Sequence, residues 1–111
     1  MPLPLASACP RTVAGWPTAN RRLGQIELSV NQYEAACRHL QTAYQAAPGQ
    51  RATRQLLGEC YAVTGDPVRA AELWRTVDVS QKQLMLRQWW YGYLGDQQRL
   101  AWLQQAIDLV Q

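Results

Sequence analysis

Residues 56–67 read Leu56-Leu57-Gly58-Glu59-Cys60-Tyr61-Ala62-Val63-Thr64-Gly65-Asp66-Pro67, with Ala70, Ala71 and Trp74 beyond them. The apolar positions up to Val63 keep a helical spacing, Gly65 interrupts it, and Asp66-Pro67 restarts it at once. Glycine just past a helix end adopts positive φ without a Cβ penalty. Aspartate is a strong N-cap, and proline at the first helical position has no N–H to leave unpaired. The stretch therefore predicts two helices folded back on each other through a very short turn.

The same grammar recurs on either side of this stretch. Pro17-Thr18 opens a helix in which Leu23, Ile26 and Val30 share one face, and Asn31, which tolerates left-handed backbone, ends it. A second helix is expected over Gln32–Ala47, with Tyr33, Ala36, Cys37, Leu40, Ala43 and Tyr44 inward and Pro48-Gly49 as its stop. Arg51–Thr64 and Pro67 to about Asp78 are the third and fourth. Ser80 caps a fifth over Gln81–Leu94, whose stripe is Leu86, Trp89, Trp90, Tyr93 and Leu94. Gly95-Asp96 repeats the Gly65-Asp66 turn, and Gln97 to about Val110 is the last, with Leu100, Leu103, Ala106, Ile107 and Val110 inward. Residues 1–16, rich in Pro and Ala, read as a loose tail with Val13 and Trp16 as its docking side chains.

The composition of the 111 residues, 48% apolar and 17% charged, supports one packed domain over 17–111 rather than a disordered chain. The net charge of +3 comes from 11 basic residues, all Arg except Lys82, spread along the chain. No basic stripe forms, so nucleic acid is not the expected partner. No apolar run approaches the ~20 residues of a membrane span, so no direct insertion by this chain is expected. Met1–Pro10 lacks the basic start of a signal peptide, and Ala6-Ser7-Ala8-Cys9 is only a faint lipoprotein-like box. The abrupt ends fit a piece of a longer protein. Cys9, Cys37 and Cys60 follow no metal or redox spacing and are odd in number. They read as two small buried helix residues and a tail thiol, with no disulfide framework.

Leu23-Gly24 and Leu57-Gly58 lie 34 residues apart, as do Ala36 and Ala70, Leu40 and Trp74, and Ala43 and Val77. A 34-residue helix–turn–helix period resembles the tetratricopeptide repeat (TPR) family, over roughly residues 17–111. The matching positions are Leu23, Gly24, Glu27, Ala36, Leu40, Ala43 and Pro48 in the first unit. In the second they are Leu57, Gly58, Tyr61, Gly65, Ala70, Trp74 and Val77. Glycine and alanine at the crossings let helices approach closely and leave room for the large residue opposite. The pattern departs at Glu27, where an aromatic is usual, and at the end of the second unit, which lacks its proline. Gly65 and Gly95 are only 30 apart, and Arg87-Gln88 stand where Leu-Gly is expected, so the third unit is offset. The resemblance implies an all-α, TPR-like α-solenoid of three antiparallel helix hairpins in a right-handed superhelical stack, with units at about 17–50, 51–80 and 81–111.

No catalytic set, metal ligand group or cofactor motif is visible. His39 is two residues from Cys37, and such neighbours do not face each other on a helix. Asp66 and Asp96 are caps. The expectation is therefore a protein that is not an enzyme and carries no cofactor. The resemblance implies a concave groove lined by the first helix of each pair. That places Thr18, Arg21, Gln25 and Leu28 there from the first unit, and Ala52, Gln55, Glu59 and Ala62 from the second. Lys82, Met85 and Trp89 follow from the third.

Arg21, Gln25, Gln55, Glu59, Lys82 and Trp89 are the candidate contacts for a protein or peptide partner. A carboxylate clamp is not expected, because Leu56 stands where an Asn would be needed. Consecutive Trp89-Trp90-Tyr91 cannot all face inward, leaving a surface ring for a partner, for self-association or for fusion to further domains. The leading reading is a non-enzymatic protein-binding scaffold, cytoplasmic by default. Similar arrays attached to bacterial envelope polysaccharide ligases and glycosyl-transfer proteins give the alternative, an accessory segment of such a protein outside the cytoplasm. Base-by-base RNA reading is disfavoured by the small number of units.

Overall fold

A computed structural model describes residues 16–111, which form six α-helices and, among those residues, no strand. They are α1 (Pro17–Ser29), α2 (Tyr33–Ala46), α3 (Arg51–Val63), α4 (Pro67–Trp74), α5 (Gln81–Leu94) and α6 (Gln97–Val110). Val13, Cys9 and the rest of residues 1–15 lie outside the described residues, while Trp16, the other docking residue expected in the tail, is 51% exposed. The architecture is the expected all-α repeat of three hairpins.

The turns are set locally. Asn31, Gly65 and Gly95 take positive φ at 66°, 104° and 74°. In each case the next residue's N–H reaches back to a carbonyl in the preceding helix: Gln32 to Glu27, Asp66 to Tyr61 and Asp96 to Tyr91, at 2.8, 2.9 and 3.1 Å. This is the bond that closes a Schellman turn. Asp66 and Asp96 then cap the following helices by accepting from the N–H of Arg69 and Arg99, and Ser80 does the same for Gln83. α4 is shorter than expected. It stops at Trp74, where the Thr76 hydroxyl donates to the Leu73 carbonyl at 2.6 Å, and the chain runs through a turn and a bend, without regular structure, to Ser80.

Two steric locks hold the hairpins. A Cβ on Gly24 would lie 2.5 Å from Leu40 Cγ, and one on Gly58 would lie 2.6 Å from Trp74 Cε2. The glycines thus mark the places where α1 meets α2 and α3 meets α4. Glu27, anomalous by sequence, has its carboxylate 2.6 Å from His39 Nδ1 on α2, a cross-hairpin contact that an aromatic would not make.

Three expectations are corrected. Leu23, Ile26 and Val30 are exposed, and α1 instead buries Asn20, Gly24 and Leu28. The equivalents one repeat later, Leu57 and Cys60, are fully buried in a cluster with Ala36 and Leu40 of the preceding unit. α1 has no helix before it among the described residues to do the same. α5 buries Leu84 and Tyr91, while Leu86, Trp89, Tyr93 and Leu94 face solvent. Finally, Cys37 and Cys60 form a disulfide between α2 and α3, with their Cα atoms 5.6 Å apart. Their chain separation of 23 residues carried no motif, and only stacking of unit on unit brings them together.

The first two units stack in sequence: α1 on α2, α2 on α3, and α1 alongside α3. At the third unit the order changes, because α6 rather than α5 packs its backbone on α3 and α4. Arg75 donates to the Leu109 carbonyl at 2.8 Å, and Trp102 borders Gly65 at the opposite end, so α6 runs parallel to α4. α5 is thereby displaced towards the hollow side of the array.

Candidate functional site

The groove side of α1 and α3 was to be lined by residues one helical turn apart, and that spacing is real: Gln55 and Glu59 point the same way from α3. What they meet is α5 of the same chain. Gln55 Nε2 donates to Gln83 Oε1 at 2.6 Å, and Gln55 Oε1 accepts from Ser80 N at 3.0 Å. Glu59, 3% exposed, accepts from Arg87 Nε at 2.6 Å and from the Tyr91 hydroxyl at 2.8 Å. Arg87 also donates to Tyr91 Oη at 3.2 Å and reaches the Leu28 carbonyl at the end of α1 at 3.4 Å. Trp90 Nε1 donates to Asn31 Oδ1 at 3.4 Å. These contacts advance together along both helices, so α5 runs parallel to α3 and closes the C-terminal half of the groove.

Burial of this ion pair has an electrostatic signature. For Tyr91, desolvation and the Glu59 charge push the phenol far above its usual value, outweighing Arg87. For Arg87, desolvation works against the guanidinium, but the Glu59 charge and the bonds to Glu59 and Tyr91 overcome it and raise its pKa. The trio is thus a fixed arrangement of carboxylate, guanidinium and neutral phenol. Tyr91 cannot serve as a ready proton donor there.

The N-terminal half of the groove stays open. A cleft of about 600 Å³ is bounded by Arg21 of α1, by Gln50, Arg51, Ala52 and Gln55 of α3, and by Asp78, Val79, Ser80 and Gln83 before and in α5. A second, narrower cleft of about 240 Å³ lies where α5 meets α1 and α3, between Gln25, Leu28, Leu56, Glu59, Leu86 and Arg87.

Of the six residues picked out by sequence, Arg21 and Gln55 share the larger cleft, and Gln25, Gln55 and Glu59 share the smaller. Glu59 is covered and already paired. Lys82 is exposed in the first turn of α5, and Trp89, 64% exposed, stacks on Tyr93 on the far side of that helix. Arg51 was missed although it stands four residues before Gln55, the spacing that puts both on one helical face. Asp78 and Ser80 were missed as lining because they read as the tail and cap of helices. Among the described residues no His, Cys, Asp and Glu cluster has the makings of a metal site, and no helix is long and apolar enough to cross a membrane.

Comparison with curated proteins and with solved structures found no match. The profile of the family described as tetratricopeptide repeat matches residues 27–83, just over half of the chain, from the end of α1 into the start of α5. It covers the α1–α2 turn, the disulfide-linked α2–α3 contact and the Gly58–Trp74 crossing, and it stops where the third hairpin departs from sequential stacking. By this match, together with its period, turns and crossing glycines, the chain belongs to the tetratricopeptide repeat family.

Proposed function

We infer that this chain is a non-enzymatic scaffold that holds an extended peptide, or an extended segment of a protein, in the open half of its groove. Membership of the family supports protein or peptide binding in general. The observation that carries the finer reading is the 600 Å³ cleft between α1, α3 and the segment before α5. Its polar lining includes the guanidinium groups of Arg21 and Arg51 and the amides of Gln50, Gln55 and Gln83. Arg21 and Arg51 supply fork-shaped donors suited to carboxylates and backbone carbonyls, and Asp78 sets a limit on how acidic the ligand is along its length. Gln55 acts by holding Gln83 and Ser80 in place at the rim. The partner expected is a carbonyl-rich, mildly acidic extended segment.

A peptide array screened with the labelled chain tests this. Acidic extended peptides are expected to be selected, and to lose at least tenfold in affinity with Arg21→Glu or Arg51→Glu. Selection of no peptide, or equal binding by both variants, removes the reading.

The second reading, an accessory segment of an envelope polysaccharide ligase or glycosyl-transfer protein, gains support from the Cys37–Cys60 disulfide. Such bonds persist in oxidising compartments such as the bacterial periplasm and are rare in the cytosol. Thiol alkylation of the protein in its native cells decides it, because reduced Cys37 and Cys60 there would remove the support.

A further inference from the structure

α5 turns its inner face to Glu59 and its outer face to solvent. On that outer face Met85, Trp89 and Tyr93 are 65%, 64% and 70% exposed, and Leu86, 57% exposed, stands at its edge, where it also borders the smaller cleft. The Trp89 and Tyr93 rings stack with centroids 5.4 Å apart, so the surface is a pre-arranged aromatic ledge. The only charged residues in α5 are Lys82, a turn before Met85, and Arg87, which is turned inward on Glu59. A contiguous apolar strip of this size on one helix is more than scattered surface hydrophobes supply.

We propose that this strip pairs with the same strip of a second copy, α5 against α5 antiparallel, with the two-fold axis at Trp89. Three features select a second copy as the occupant. Met85 and Tyr93 lie four residues to either side of Trp89 on its face, and Leu86 and Gly92 lie three to either side, at the two edges of that face. Antiparallel pairing sets Met85 against Tyr93 of the second copy, a favourable thioether–aromatic contact. It also sets Leu86 against Gly92 of the second copy, whose missing side chain leaves a notch. Gly92 is exposed, and a Cβ there would meet only Leu100, at 3.9 Å.

The area agrees. These side chains offer at most roughly 500 Å² per chain, about 1,000 Å² for the pair, which stands at the floor for a specific interface. Electrostatics adds no obstacle, since the apposed strips carry no charge. The interface is at the small end, so the dimer is expected to be reversible and to form only as concentration rises.

Sedimentation velocity on the full chain from 1 to 300 μM tests this, with Cys9→Ser so that a mixed disulfide cannot mimic a dimer. The expected result is a shift from 12.6 kDa towards twice that mass as concentration rises. Trp89→Glu is expected to weaken association more than tenfold with its thermal melt unchanged, because the ring is mostly in solvent. Met85→Glu and Tyr93→Lys should each weaken it, and the double variant should recover it, because antiparallel apposition pairs the new charges twice.

Several results overturn the proposal. One is a monomer at every concentration, and another is a dimer indifferent to Trp89→Glu. A dimer lost with Ile26→Glu instead would place the contact on α1. A monomer that dimerises only after removal of residues 1–15 would show that the chain's own N-terminal segment occupies the strip.

Discussion

The Trp74 indole occupies the space that a side chain at residue 58 would need: a Cβ on Gly58 would sit 2.6 Å from both Cδ1 and Cε2 of the ring. The ring is fixed there, fully buried, and its Nε1–H donates to the Gln55 carbonyl on the same helix as Gly58 at 3.0 Å. Close packing and a hydrogen bond therefore point to one position for the ring, and any atom added at residue 58 must displace it. Gly58→Ala is expected to lose about 2–3 kcal/mol, although alanine gains about 1 kcal/mol in helix propensity. Trp74→Ala is expected to lose about 3–5 kcal/mol through the cavity it leaves. Gly24→Ala should cost less, because the Leu40 side chain opposite can change rotamer. Urea titrations measure all three, and a Gly58→Ala variant as stable as the parent would refute the lock.

The Cys37–Cys60 bond ties the first unit to the second across a loop of 23 residues. In the loop-entropy account a closure of that length stabilises by about 3 kcal/mol. Cys37→Ala with Cys60→Ala, or reduction of the parent, is expected to lower the urea midpoint by a corresponding amount. Coincident curves with and without reductant would show that the bond contributes nothing.

Glu59, Arg87 and Tyr91 form a buried polar group in a place where neighbouring helices supply apolar contacts. Removing one partner leaves the other charge uncompensated, so Arg87→Ala is expected to cost about 3–5 kcal/mol. Replacing both, as Glu59→Leu with Arg87→Met, should recover most of that loss because no charge remains to be desolvated. A double-mutant cycle checks the non-additivity. Simple addition of the two single effects would mean that the pair does not interact.

The same group sets the alkaline limit. The native state holds the Tyr91 proton above the pH at which the unfolded chain, with a phenol at 10.0, gives it up. Above pH 10 the native state therefore binds more protons than the unfolded one, and stability falls as pH rises; below pH 10 this contribution is complete. Tyr33 acts in the same sense, since desolvation, helped by the Asp96 and Glu59 charges, raises it against Arg99 and Arg87. Tyr91→Phe is expected to flatten the decline between pH 10 and 12 in a denaturant titration series.

At the acid end, burial tends to raise Asp96, but bonds to Arg99 and its charge outweigh that and lower it. Its contribution is present above the unfolded value of 3.8 and is lost as pH falls through the lower native value. Asp96→Asn should remove that acid limb, and an unchanged acid profile would refute the assignment.

The hairpins were legible in the sequence because each turn is decided within a few residues. Positive φ at Asn31, Gly65 and Gly95, carboxylate caps at Asp66 and Asp96, and the proline after Asp66 are local steric and hydrogen-bonding facts. The crossings were legible too, since Gly24 with Leu40 and Gly58 with Trp74 repeat at a fixed interval. The direction in which α5 faces was not. Its most hydrophobic stripe looks like core, yet Arg87 takes the inward position because Glu59, 28 residues earlier in the chain, waits there unneutralised.

Nor could the sequence show that α1 leaves Leu23, Ile26 and Val30 uncovered, or that Cys37 meets Cys60. Both depend on which helix lies alongside, a property of stacking between units. Residue type and spacing thus determined helices, turns and period, where the governing interactions are short-range. Tertiary structure decided which half of the groove stays open, because that depends on charges and surfaces brought together from distant parts of the chain.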